Sequence, residues 1–134
     1  FASTTELFHE ASRATVLCIE NEDPELGFSI IYRTPQLDET DACHMAEHLV
    51  LSSCRKYRSR DIFFDMDSKS YSTFMNGMTD TCCTCYPFCS VSQKQLIKLM
   101  DVALCCMEEP DALTGAFLFD REALRFELKE ADGL

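Results

Sequence analysis

The stretch ACHMAEHLV at residues 42–50 limits the possible folds more than any other part of the chain. On a helix, residues four apart stack on one face and the residue three along lies beside them. His44 and His48 therefore point the same way and Glu47 joins them, while Ala42, Ala46, Leu49 and Val50 form an apolar stripe on the other side. A helix with one apolar stripe lies on the surface of a core that other elements supply. The acidic QLDETD just before it suits the positive end of a helix dipole, so the helix is expected to run from about Asp41 to Ser53.

The other elements read mostly as strands. ELFHEA (6–11) and ATVLCIE (14–20) are short apolar runs separated by a turn, as in a hairpin. GFSIIYRT (27–34) is rich in β-branched and aromatic residues and stops at Pro35. DIFFDM suggests a short helix, and YSTFMNGMT and TCCTCYPFCS suggest two further strands. Ser92 and Gln95 have capping-box spacing. Beyond them Leu96, Leu99, Met100, Ala103, Leu104 and Met107 recur at helical spacing until Pro110, a stripe that reads as core. A last helix is expected over about Phe119 to Lys129. This order predicts an α+β fold, a two-layer sandwich of a largely antiparallel sheet with helices on one face.

At 134 residues the chain has the size of one domain, residues 1–134. It begins with Phe1 and stops in the polar KEADGL, which reads as the N-terminal piece of something longer. A net charge of −11 argues against nucleic acid as a partner, because phosphate binding needs a basic face. The one basic cluster, Arg55, Lys56, Arg58 and Arg60, reads as a solvated loop, with an anion site as the alternative. No apolar run approaches the roughly 20 residues that span a bilayer, so no membrane partner is expected.

Nine cysteines, an odd number at irregular spacing, read as free thiols in a reducing compartment rather than a disulfide framework. Cys82, Cys85 and Cys89 leave open a thiol-based metal or redox module, but half-buried strand residues are the simpler reading. His9 stands alone on a strand and reads as structural.

The chemistry concentrates in His-x-x-Glu-His. Two imidazoles on one helix face suit Zn²⁺, which takes nitrogen ligands in tetrahedral geometry and, when catalytic, keeps one position for water. The metal lowers the pKa of that water from about 15.7 to about 7, so a nearby carboxylate suffices as base. This is the inverted order of the zincin motif. Read alone, a polar, solvent-facing helix turn remains the alternative.

The wider sequence bears a resemblance. TPQLDETDACHMAEHLVLSS, RKYRSRDIFFDM, SKSYSTFMNGMT, TCYPFCS and LMDVAL, in this order, resemble the pitrilysin-type (insulinase-like) metallopeptidases over about residues 6 to 128. The likeness is greatest to the presequence-protease-like branch. The resemblance implies zinc as cofactor, His44 and His48 as ligands, and Glu47 as the general base of peptide-bond hydrolysis. It implies that Asn76 and Gly77 help hold an extended substrate, a mode in which backbone hydrogen bonds give affinity with little sequence demand. The implied substrates are peptides and short unfolded polypeptides. The implied partners are the remaining domains of the same polypeptide or a related subunit.

The chain departs from the family pattern in places. Gly77 stands where alanine is expected, Arg58 and Ile62 stand where the pattern has prolines, and Cys82 stands where the branch often has aspartate. Glu122, Glu127 and Glu130 are candidates for a third ligand, but the resemblance places that ligand beyond Leu134. A non-catalytic relative that keeps the fold is the competing function, although such domains typically lose the motif. The compartment reads as cytoplasmic, with the mitochondrial or plastid matrix as the alternative.

Overall fold

The computed structural model describes residues 2–111. Six strands and three helices follow in the order β1 (Ser3–His9), β2 (Ala14–Glu20), β3 (Leu26–Arg33), α1 (Ala42–Val50), α2 (Ile62–Lys69), β4 (Phe74–Met75), β5 (Met78–Thr79), β6 (Cys83–Ser90) and α3 (Gln93–Glu108). The expected final helix lies outside the described residues, as do Glu122, Glu127 and Glu130.

β1 and β2 form an antiparallel hairpin that pairs Leu7 with Val16 and Ser3 with Glu20. Its turn is closed by Arg13, whose φ of 60° lies in the left-handed region and whose N–H donates to the His9 carbonyl at 2.8 Å. His9 Nδ1 meets Ser12 Oγ at 2.6 Å, so this histidine shapes the turn, in keeping with the structural role read from its isolation.

The larger sheet is antiparallel and centred on β6, with β3 on one side and β4 and β5 on the other. Register decides which residues share a face. Phe28 is opposite Phe88, Ile30 opposite Tyr86, and Tyr32 opposite Thr84, while Met75 and Thr79 extend the same face across β4 and β5. This face is the core side. Phe88 is fully buried and packs with Tyr86, Met75, Leu96, Leu99, Ala103 and Cys106, and Phe28 stacks on Phe88 at a centroid distance of 6.3 Å. Burying a Phe or Leu contributes roughly 1.5–3 kcal/mol each, so this layer of aromatic and α3 side chains anchors the sheet to its helices. The fold is α+β, with antiparallel strands and the helices gathered on one face, as the element order predicts.

The other face carries Cys83, Cys85, Pro87 and Cys89 of β6 beside Ile31, Phe74 and Met78. Among the described residues it is open, with Ile31 67 % exposed. The three strand cysteines are half-buried, and all nine cysteines are free thiols. Cys85 and Cys89 are four residues apart on one strand, about 13 Å at the usual rise, which no single ion spans.

Several local expectations are modified. The segment 71–79, read as one strand, is two short pieces interrupted at Asn76 and Gly77. Asn76 N–H donates to the Pro87 carbonyl at 3.1 Å, but proline has no N–H to return. Asn76 Oδ1 accepts from Gly77 N–H at 3.0 Å and draws it out of the ladder. The helix expected to reach Ser53 ends at Val50, where Ser52 Oγ donates to the His48 carbonyl at 2.8 Å. On α3, Ser92 Oγ accepts from Gln95 N–H as the cap spacing predicts. Leu104 is exposed rather than core, and Cys106 takes the buried place. Among the described residues no helix is long and apolar enough to cross a membrane.

Candidate metal and catalytic site

The nine-residue helix α1 is held by its ends and by one side chain. At its N-terminus Asp41 has a φ of 56°, a left-handed conformation that favours glycine but that aspartate tolerates. At the other end Leu51 is buried, and its carbonyl accepts from Phe63 N–H at 3.2 Å. The next carbonyl, of Ser52, accepts from Ile62 N–H at 2.9 Å, a bond that the proline of the family pattern could not make at this position.

The helix sits on the sheet through only half of the stripe read from the sequence. Leu49 and Val50 are half-buried, but Ala42 and Ala46 are exposed, and Cys43 and Glu47 are half-buried in their place. Alanines offer little apolar surface, and a polar contact joins the docking. Glu47 Oε2 accepts a hydrogen bond from Thr79 Oγ1 of β5 at 2.6 Å. Glu47 is therefore turned toward the sheet, while His44 and His48 stay exposed at the rim.

The two histidines converge. Their Nε2 atoms lie 3.2 Å apart and their ring centroids 4.9 Å apart. Two nitrogens bound at about 2.0–2.1 Å to one tetrahedral ion lie about 3.3 Å from each other, so this separation fits a shared zinc. Behind them, His44 Nδ1 meets Asp41 Oδ2 at 3.0 Å. A carboxylate only accepts, so Nδ1 carries the hydrogen, which leaves Nε2 as the nitrogen that could face a metal. Donor type, spacing and tautomer all suit the metal. Among the described residues no group of three such donors forms, and His44 and His48 stand as a pair of candidate donors.

Asn76 and Gly77 sit across from the helix. Together with His44, Glu47, His48 and Thr79 they line a cleft of about 750 Å³. A smaller recess of about 170 Å³ on the other side of Glu47 is also lined by His48, Asn76 and Gly77, so these four residues lie where the two meet. Gly77 has a reason to lack a side chain. A Cβ there would sit 3.0 Å from Glu47 Cδ and closer still to its Oε1.

Glu47 also acts on its surroundings. Burial, with the Glu47 charge as the next cause, pushes the Tyr86 phenol well above its ordinary value. Lys56 and Arg58 of the basic cluster lie elsewhere, lining a third cleft between α2 and α3, where Lys56 is paired with Asp101 at 2.7 Å.

One cleft thus brings together His44, Glu47 and His48 of the motif with Asn76 and Gly77, singled out by the resemblance. Sequence reasoning missed Asp41 and Thr79. A positive φ leaves no trace at an aspartate, and Thr79 meets Glu47 only through the docking of α1 on β5. The spacing of Thr79 two residues after Gly77, in FMNGMT, is the only local hint.

No family model matches the chain. It is 34 % identical over 122 residues to presequence protease 1, chloroplastic/mitochondrial, of Arabidopsis thaliana, covering 91 % of this chain and 11 % of that protein. It is 41 % identical over 102 residues to the mitochondrial presequence protease of Eremothecium gossypii, covering 76 % and 10 % respectively. The chain belongs to the pitrilysin-type family, in its presequence-protease-like branch. The chain is also 32 % identical over 124 residues to Protein HypA of Clostridium perfringens, covering 92 % of this chain and 13 % of that protein. The chain therefore spans about a tenth of the length of the curated relatives it matches. Its relatives in this pitrilysin-type branch are peptidases by name.

Proposed function

We propose that this chain is the N-terminal part of the catalytic domain of a zinc-dependent endopeptidase. His44 and His48 are two of its metal ligands and Glu47 is its general base. The observation that carries this reading is the 3.2 Å approach of the two Nε2 atoms above a cleft that Glu47 also lines. The third ligand belongs to the polypeptide beyond Leu134. The remaining domains of the same polypeptide, or a related subunit, complete the enzyme.

When bound, zinc would acidify a water molecule and polarise the scissile carbonyl. The chain's own residues do the rest. Asp41 holds the His44 ring in the ligating tautomer, and Glu47 takes a proton from the attacking water and later delivers it to the leaving amine. The edge formed by β4 and β5 at Asn76 and Gly77 takes the substrate as an added extended strand. That mode suits peptides and short unfolded polypeptides, because folded proteins offer few free backbone edges. The two relatives named for mitochondria or chloroplasts support the organellar matrix, the alternative to the cytoplasm suggested by the free thiols.

Metal analysis of the full-length parent beside its His44→Ala variant tests the ligand assignment. Wild type is expected to hold zinc, and the variant to lose it together with peptide hydrolysis. Zinc content unmoved by the substitution would place the metal elsewhere. A parent that neither binds zinc nor cleaves peptides would favour the non-catalytic, fold-keeping relative.

A further inference from the structure

Three threonines form a line of hydroxyls that ends on Glu47. Thr79 Oγ1 lies 2.6 Å from Glu47 Oε2, and Thr84 Oγ1 lies 3.3 Å from Thr79 Oγ1. Thr34 Oγ1 lies 2.8 Å from Thr84 Oγ1. Each hydroxyl has one hydrogen to donate. A carboxylate can only accept, so Thr79 donates to Glu47. Thr79 can then only accept from Thr84, and Thr84 in turn only from Thr34. The charge at one end therefore sets the direction of the whole line, and all three hydrogens point toward Glu47.

The line is anchored at the centre of the larger sheet. Thr84 is 3 % exposed on β6, the strand at the centre of the sheet, and stands opposite Thr79 in the register. Thr34 follows β3, and its N–H donates to the Cys82 carbonyl at 3.1 Å. Aligned hydroxyls polarise one another, and a hydrogen bond to an ionised acceptor is stronger than a neutral one. The other carboxylate oxygen is treated differently. Oε1 lies over Gly77, where a Cβ would collide with it, and none of the described residues donates to it. One oxygen is held and the other is left open beside the cleft.

We propose that Thr79 is a positioning residue for Glu47. Backed by Thr84 and Thr34, it fixes Oε2 and leaves Oε1 as the oxygen that exchanges a proton with water. The proposal rests on the reading of Glu47 as the base. A free glutamate side chain samples many rotamers, and a base must be within hydrogen-bond reach of the proton it takes. Thr79 removes that freedom without occupying the reacting oxygen.

The test compares Thr79→Val, which keeps the shape and removes the hydroxyl, with Thr79→Ser, which keeps the hydroxyl, in the full-length parent. Thr79→Val is expected to lower kcat about ten- to a hundredfold, the worth of one hydrogen bond to a charged group. KM and zinc content are expected to stay near wild type, and Thr79→Ser to recover most of kcat. Thr34→Val, at the far end of the line, is expected to cost less than Thr79→Val.

Unchanged kcat in Thr79→Val, a loss confined to KM, or a serine variant as slow as the valine one overturns the proposal. Glu47→Gln is assayed beside them. If that variant is fully active, the reading of the base itself has failed, and the test of Thr79 passes to structure. High-resolution crystal structures of zinc-free wild type and Thr79→Val supply that test without any assay. The Glu47 carboxylate is expected over Gly77 in the first and displaced in the second. The same position in both overturns the proposal.

Discussion

Glu47 and the empty space at Gly77 fit one another so closely that a single added carbon at 77 would sit 3.0 Å from Glu47 Cδ. The contact joins the helix that carries the motif to the interrupted strand that faces it. An alanine at 77, as in the family pattern, would require the Glu47 carboxylate to shift from the position it holds here.

Gly77→Ala is therefore expected to push the Glu47 carboxylate aside rather than to unfold the protein, because the clashing atoms are the far end of a flexible side chain. Displacing a catalytic group by about 1 Å can cost up to about a hundredfold in rate. We expect kcat of the full-length parent to fall about ten- to a hundredfold, with stability changed by less than about 1 kcal/mol. Steady-state kinetics and thermal unfolding check both, and an unaltered kcat would show that the approach has no catalytic consequence.

Asp41 is expected to matter through His44. Removing the carboxylate behind a metal-bound histidine typically weakens metal affinity about 10- to 100-fold. Asp41→Asn keeps a side chain that tolerates the left-handed backbone while removing the charge. Its zinc affinity, measured by competition with a chelator, should fall within that range. Asp41→Gly should weaken zinc likewise although it eases the backbone. An unchanged affinity in both variants would separate Asp41 from the metal site.

The helix was legible and its contact was not. Residues 44, 47 and 48 share a face because of helical period alone, which is a local property of the chain. The turning of Glu47 toward the sheet depends on where α1 docks, and it is decided by a threonine 32 positions away. The apolar stripe held at Leu49 and Val50 but not at Ala42 and Ala46, since two methyl groups bury too little to fix an orientation. On β6 the alternation of Thr84, Tyr86, Phe88 and Ser90 was readable as a strand. That Pro87 breaks its neighbour into β4 and β5 follows only once the two strands are in register.

Phe88 is expected to carry much of the core. It is fully buried at the centre of the sheet and stacked by Phe28. Phe88→Ala should destabilise by about 3–5 kcal/mol through lost transfer energy and the cavity left behind. Denaturant unfolding measures this, and a loss below about 1 kcal/mol would mean that the site collapses or that the core lies elsewhere.

A pH dependence follows from the cluster of Lys56, Asp101 and the half-buried Tyr57. The hydrogen bond from Lys56, then that from Tyr57, holds the Asp101 carboxyl below its ordinary value of 3.8. A carboxyl depressed in the folded state adds stability above its unfolded pKa and loses it as pH falls through the folded one. Wild type should therefore exceed Asp101→Asn in stability by more at neutral pH than at the acid end of the range, below the ordinary carboxylate value. A difference that does not change with pH would contradict the pairing.

The most direct measurement is peptide hydrolysis by the full-length parent and its Glu47→Gln variant, each treated with chelator and then given zinc. Positioned acid–base groups contribute about 10²- to 10⁴-fold. Wild-type activity should vanish with chelator and return with zinc, while Glu47→Gln should bind zinc as well as wild type yet lose at least about a hundredfold in kcat. A glutamine variant that keeps full zinc-dependent activity would contradict the assignment of the base.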